Sequence, residues 1–208
     1  MTDVQTTSPA ARRSGVDKFD ARRNELAVAT LHTLAALGYA RTSLREIAQN
    51  SEYSHGVLHY YFTDKLDLIT HAVRQYEAVC VTRYDDVIAR ATTADELRDE
   101  FATTFIDTLS ADTELHRLWY DLRNQSFFDE SFRDDVIEID NNREAMIWRV
   151  VSRYAELCET TPAVSPSTAY VAVDGLFQRG LLQFIAGRTE SLDALRAELI
   201  STFDVLVK

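Results

Sequence analysis

Gly38-Tyr39-Ala40-Arg41-Thr42-Ser43-Leu44-Arg45-Glu46-Ile47-Ala48, followed after Gln49 to Ser54 by His55-Gly56-Val57-Leu58-His59-Tyr60-Tyr61-Phe62-Thr63-Asp64-Lys65, is the stretch on which the fold turns. Gly38 ends a preceding helix as a left-handed C-terminal cap. Ser43, three residues before Glu46, is a capping box that opens a short helix with Leu44, Ile47 and Ala48 on its apolar face, ending near Ser51. Ser54 caps a second short helix, His55 to Phe62, and Asp64 caps the next, which starts with Lys65 and Leu66. Two short helices joined by about four residues make a helix-turn-helix.

Outward from this centre the chain reads as helix throughout. Residues 1–16 lack apolar periodicity and are expected to be a disordered arm carrying Arg12 and Arg13. A first helix runs from about Asp17 to Leu37 on the stripe Phe19, Leu26, Thr30, Leu34 and Leu37. A fourth, with Ile69, Val73, Tyr76, Cys80 and Val87 in register, is long enough to leave the N-terminal unit and enter a second domain. Thr93 and Glu96 form another capping box, ahead of Leu97, Phe101, Phe105 and Leu109. Further helices follow over Glu114 to Gln125 and Phe132 to Leu157, before Thr161 to Pro166 breaks the pattern. Tyr170 to Ile185 is apolar nearly all round, and after Gly187 the residues Leu192, Leu195, Leu199, Phe203 and Leu206 recur at bundle spacing.

The expected fold is therefore all-α, with about nine helices: an arm over 1–16, a helix-turn-helix domain over 17–64 and a second helical domain over 65–208. With 208 residues, 46% of them hydrophobic, the chain has enough apolar surface for a core, and three prolines and six glycines favour long helices over short strands. No run of about 18 apolar residues suggests a membrane span, and the polar N-terminus is no secretion signal, so the expected location is cytoplasmic with no membrane partner. Cys80 and Cys158 stand far apart and outside any Cys-x-x-Cys arrangement, which reads as structural burial.

The formal charge of −11 argues against a nucleic-acid partner only until it is divided along the chain. Residues 1–75 carry nine Lys or Arg against eight Asp or Glu, leaving 13 against 25 for the rest. Exposed charges are screened beyond roughly 8 Å at physiological salt, so a local basic face can hold DNA while a distant acidic body keeps the protein soluble.

The two motif halves, in register over about 30 residues, resemble the DNA-binding module of the TetR (tetracycline-repressor) family. Family members read Gly-aromatic-x-x-Thr-Thr/Ser-x-x-x-Ile-Ala in the first half and Gly-x-Leu-Tyr-x-His/Tyr-Phe-x-x-Lys in the second. The resemblance implies a palindromic double-stranded operator bound by a homodimer, and release by a small-molecule effector that one sequence does not identify. Asp174-Gly175-Leu176-Phe177-Gln178 is similar to the branch that holds the choline-responsive repressors. Two departures bear on specificity. Glu52 and Tyr53 replace the usual Gly and Val of the turn, where a left-handed non-glycine residue costs roughly 1 kcal/mol. His59 stands where the family's tyrosine touches DNA.

The residues themselves support this assignment. A recognition helix needs small residues to approach the groove floor and hydrogen-bonding groups along one face, and Ser54, His55, Gly56, His59 and Tyr60 meet that need. Thr42, Ser43, Arg45 and Lys65, at helix starts, are expected on phosphates. Leu44, Ile47, Ala48, Leu58 and Phe62 read as the small core, and Tyr61 suits either role. His55 and His59 sit at metal-pair spacing but lack the Glu of a His-Glu-x-x-His site and a third ligand, so no metal and no cofactor is expected. No nucleophile elbow, phosphate loop or dinucleotide fingerprint is present, which argues against an enzyme.

In the second domain Trp119, Tyr120, Arg123, Phe127, Trp148 and Phe177 are the expected ligand contacts, with His116, Arg117, Asn124 and Gln178 interleaved. The dimer seam is expected through Leu176, Gly180, Leu181, Phe184, Leu195, Leu199 and Phe203. The alternative is a protein of this fold acting through small-molecule or protein binding without reading DNA, a view that Glu52 in the turn favours.

Overall fold

The computed structural model describes residues 9–38 and 42–207, with side chains described from residue 17 onward apart from residue 32. Among the described residues there are ten α-helices, one 3-10 turn and an isolated bridge between Pro162 and Val207. The fold is all-α, and it divides into two compact units, residues 1–76 and 77–208.

The first unit contains α1 (Pro9–Leu37), α2 (Leu44–Gln49), α3 (His55–Tyr61) and most of α4 (Lys65–Cys80). Helix α1 begins well before the expected Asp17, so the arm read over 1–16 is helical from Pro9; residues 1–8 lie outside the described residues. The reason is local. Proline suits the first helical position, and Ala10, Ala11, Arg12 and Arg13 are strong helix formers that need no apolar stripe to continue it. The C-terminal end is as read from the sequence: Gly38 has φ 77, and its N–H donates to the Leu34 carbonyl at 2.9 Å.

Leu26, Leu31 and Leu34 of α1, Leu44 and Ile47 of α2, Leu58 and Phe62 around α3, and Leu68, Ile69 and Val73 of α4 close one small core. Burying a large aliphatic side chain stabilises by about 1.5–3 kcal/mol, so this core suffices to orient α3. Polar ties bind α1 to α4 across its rim. Arg23 pairs with Asp67 and lies over the Phe62 ring at 4.9 Å, and His71 Nε2 meets Asn24 Oδ1 at 2.7 Å.

The second unit contains the end of α4, then α5 (Asp85–Arg90), α6 (Ala94–Ala111), α7 (Thr113–Gln125), a 3-10 turn (Glu130–Phe132), α8 (Arg133–Leu157), α9 (Pro166–Ile185) and α10 (Ser191–Leu206). The extra helix arises because the long fourth helix expected to reach Val87 stops at Cys80. Tertiary bonds hold that break open: Arg149 donates to the Val81 carbonyl and, at 2.9 Å, to Asp85, and Arg83 pairs with Asp112 at 2.8 Å. The capping box at α6 is complete, with Thr93 Oγ1 accepting from the Glu96 N–H at 3.2 Å and Glu96 Oε2 accepting from the Thr93 N–H at 3.2 Å.

Helix α6 lies among α8, α9 and α10. Its Phe101 packs on Tyr84 (ring centroids 4.5 Å apart) and on Phe203 (5.6 Å), and Tyr154 closes on Phe203 at 4.7 Å. Gly180 brings α9 against Leu195 of α10, where a side chain at 180 would overlap the leucine. Most of the seam read from α9 and α10 is thereby filled within one chain: Gly180, Leu181, Leu195, Leu199 and Phe203 are buried by their own fold, and Leu176 and Phe184 are half-buried. Among the residues left outward on α9, Val171, Gly175, Gln178, Leu182 and Ile185 follow at steps of four and three, and Arg179 is also outward.

Candidate nucleic-acid interface and internal cavity

Two serines begin the helices of the candidate interface. Ser43 Oγ accepts from the Glu46 N–H at 3.2 Å, and Ser54 Oγ accepts from the Val57 N–H at 3.3 Å. Each removes one orphan donor from a helix too short to stand alone. Leu58 and Phe62 then turn inward, which leaves His55, Gly56, His59 and Tyr60 exposed together on α3.

The exposed face is an aromatic surface with polar tips. His55 and His59 meet edge to face at 4.4 Å, and Tyr60 packs on Tyr61 at 4.9 Å. Tyr61, half-buried, is backed by Phe19 of α1 at 4.9 Å. Tyr60 is 73% exposed, with its ring available to a partner. Around Gly56 a Cβ would meet nothing nearer than Ser54 Oγ at 4.0 Å. Packing within the chain therefore does not require a glycine there, whereas close approach of another molecule to the helix does.

The expected phosphate contacts fall into two groups. Ser43 and Arg45 are exposed at the start of α2, and Lys65 is half-buried at the start of α4. Thr42 is buried, with its hydroxyl donating to the Gly38 carbonyl at 2.5 Å; in this structure it closes the link between α1 and α2. Tyr39, Ala40 and Arg41 lie outside the described residues. The turn itself needs no left-handed residue, since Glu159 is the non-glycine with positive φ among the described residues. Tyr53 instead packs its ring under Arg22, 5.3 Å from the guanidinium carbon, and the Tyr53 N–H donates to Ser51 Oγ at 3.3 Å. The strain expected at Glu52 is absent.

In the second unit the end of α4 and the turn after it, with α6, α7, α8 and α9, line a partly open cavity of about 50 Å³. Phe105, Met146, Ile147, Val173 and Phe177 supply its apolar wall, and Arg83, Tyr84, His116, Tyr120, Arg143, Tyr170 and Asp174 its polar groups. Of the expected ligand contacts, Tyr120 and Phe177 line it. Trp119 is fully buried, with Arg143 over its ring at 4.4 Å, and Arg123 pairs with Asp174 at 2.7 Å and Asp140 at 3.0 Å. Trp148 is half-buried and Phe127 is 73% exposed; neither lines the cavity.

Glu77 and Arg143 lie outside the residues expected from the sequence to form the site. Arg143 Nε and Nη2 donate to Glu77 at 2.9 and 2.7 Å, forming a buried bidentate fork between α8 and the last turn of α4. A signal was present: both occupy apolar-stripe positions, Glu77 four residues after Val73 and Arg143 four after Ile139. Burial works against the Arg143 charge, but the fork to Glu77 outweighs it and holds the guanidinium above its ordinary pKa. His116 is pushed down to about 3 by burial and by the guanidiniums of Arg143 and Arg83, so its ring is neutral. Burial raises the Tyr120 and Tyr170 hydroxyls, with the Asp174 carboxylate adding to both; they donate to Asp174 at 2.8 Å and Asp140 at 2.6 Å, respectively.

Residues 26–72 match the model of the tetR family of bacterial regulatory proteins. Over 166 residues, 77% of this chain and 82% of the relative, the chain is 27% identical to the HTH-type transcriptional regulator BetI of Burkholderia lata; the same regulator of Burkholderia ambifaria is 28% identical over the same share. Among solved structures, FadR of Bacillus subtilis in complex with stearoyl-CoA is similar at TM-score 0.69 and 18% identity, covering 86% of this chain and 95% of that one. A TetR transcription regulator from Haloarcula marismortui is similar at TM-score 0.66 and 21% identity, covering 90% and 100%. These two share the fold.

Proposed function

The chain belongs to the tetR family of bacterial regulatory proteins, and from that premise we propose that it is a repressor that binds a palindromic DNA operator as a homodimer and lets go when a small molecule enters its second unit. The observation that carries the reading is the outer face of α3. A helix start held by Ser54 and an inner side held by Leu58 and Phe62 leave His55, Gly56, His59 and Tyr60 outward, with no packing role for Gly56. That is what insertion into a major groove needs: a small residue for approach and side chains that reach base edges. Ser43, Arg45 and Lys65 would set register on the phosphates.

The homodimer is supported by the outward residues of α9. Val171, Gly175, Gln178, Leu182 and Ile185 recur at the spacing of a helix–helix seam, and Val171 and Leu182 are 62% and 65% exposed. A two-fold axis there would present two copies of α3, and half-sites about 34 Å apart would select the active geometry. The stearoyl-CoA bound to FadR shows that one protein of this fold takes a small molecule; the cavity among α6, α7, α8 and α9 is where this chain would do so. The regulator is expected to work in the cytoplasm, without catalysis.

Titration of DNA fragments bound by the purified protein, at several salt concentrations and with sedimentation to give the stoichiometry, tests the reading. Two protomers per palindrome and a log–log salt slope near −0.9 per neutralised phosphate are expected. Equal affinity for unrelated fragments would overturn it in favour of a protein of this fold that does not read sequence.

A further inference from the structure

We propose that the internal cavity takes a small organic anion, a carboxylate on an apolar body, and that this anion competes with Glu77 for the guanidinium of Arg143. The inference rests on the reading of the second unit as a sensing domain. The charges in the cavity wall are two guanidiniums, Arg83 and Arg143, and one carboxylate, Asp174. Asp174 already accepts from Tyr120 Oη at 2.8 Å and from Arg123 at 2.7 Å, so it presents a neutralised face. The carboxylates that balance the two cations, Glu77 and Asp112, stand outside the wall. A molecule inside therefore meets two guanidinium groups whose carboxylate partners lie behind them, the same cations that help to keep His116 neutral.

The chemistry of Arg143 narrows the class further. Its Nε and Nη2 form the planar fork that recognises a carboxylate through two parallel hydrogen bonds, and Glu77 now occupies it. An incoming carboxylate has the geometry of the Glu77 head group and can replace it bond for bond. Phe105, Met146, Ile147, Val173 and Phe177 would hold the apolar body. At about 50 Å³ the cavity is far smaller than the roughly 300–1,000 Å³ of ordinary ligand sites, so the occupied state has a different shape.

Release of Glu77 carries the consequence. It is 3% exposed, and a buried carboxylate without a partner is costly, so the end of α4 must move to bring it to water. Glu77 is the first residue past the boundary between the two units, on the helix that begins at Lys65 in the first. An anion that takes Arg143 thus shifts the population toward a state in which this helix end is free.

The test uses the full chain and calorimetric titration with acetate, butyrate, octanoate and phenylacetate, each against its primary amide, and with benzyltrimethylammonium as the cationic control. At least one carboxylate should bind tenfold or more tightly than its amide. Arg143→Lys, which keeps the charge and loses the fork, should lose that tenfold, and Glu77→Gln should bind the same carboxylate more tightly than wild type. If no carboxylate exceeds its amide, if the cation binds best, or if Glu77→Gln binds no more tightly, the proposal is overturned. DNA binding is measured on the same samples. DNA bound without carboxylate preference removes the anion and leaves the regulator reading standing; no DNA bound removes that reading, while the carboxylate series still decides this one.

Discussion

Replacing Arg143 with glutamine removes the charge and the outer half of the fork, because the side chain ends where the arginine Nε stood, and it leaves Glu77 where it is. Arg143 is 9% exposed and Glu77 3%, so water does not take over the lost interaction. Removing one partner of a buried pair costs about 3–5 kcal/mol, chiefly because the other charge stays buried. Loss of the contact with Trp119, whose ring lies 4.4 Å from the guanidinium carbon, adds about 0.5–2 kcal/mol. For a chain of this size about 1 kcal/mol shifts the melting temperature by roughly 2–4 °C, so the combined loss should lower the Tm of Arg143→Gln by about 7–28 °C. The double variant Glu77→Gln/Arg143→Gln has no stranded charge and should recover most of the loss. Thermal unfolding of wild type, both single variants and the double variant closes the cycle. A loss below about 1 kcal/mol for Arg143→Gln, or additive single effects, would refute the reasoning that the pair acts as one buried unit.

Three further outcomes follow from particular contacts. Gly180→Ala places a methyl group against Leu195 and should cost about 1–3 kcal/mol by overpacking, with Leu195→Ala restoring part of it in denaturant unfolding. His116 in the fold titrates near 3, below the 6.5 of an unstructured histidine, so the unfolded chain binds its proton first as pH falls. Its contribution is complete above about pH 6.5 and is lost below it, reaching about 2 kcal/mol by pH 5; in urea unfolding at pH 7 and 5, His116→Gln should reduce the acid sensitivity by that amount. Gly38→Ala should destabilise by about 1 kcal/mol in the same assay, because φ 77 strains any residue with a Cβ.

Much of the first unit was legible because local signals agree there. Gly38, Ser43, Ser54 and the stripe of Leu44, Ile47, Leu58 and Phe62 each mark a boundary or an inward face, and each does so through interactions within a few residues. Helix α4 was read too long because its end depends on Arg149 and Arg83, whose partners are distant in sequence for Arg149 to Val81 and for Arg83 to Asp112. The same limit applies to the cavity. Aromatic content pointed to Tyr120 and Phe177 but also to Trp148 and Phe127, since composition does not tell an inward ring from an outward one. Glu77 and Arg143 are not legible from one sequence because a charged residue on an apolar stripe looks like an interruption until its partner, 66 positions away, is known. Most of the seam expected on α9 and α10 is filled within one chain because strongly apolar positions on a bundle helix are the ones its own chain buries first, leaving Val171, Leu182 and Ile185 outward.

The most direct test of the central claim is selection of genomic DNA fragments by the purified protein, run in parallel with wild type and His59→Ala/Tyr60→Ala. Both side chains are exposed, so the variant should melt with wild type. The wild type should enrich a palindromic site, and the variant should lose about 2–6 kcal/mol of binding to it, as two base contacts would. Equal enrichment by a correctly folded variant, or no enriched fragment with wild type, would contradict the assignment of α3 as the element that reads DNA.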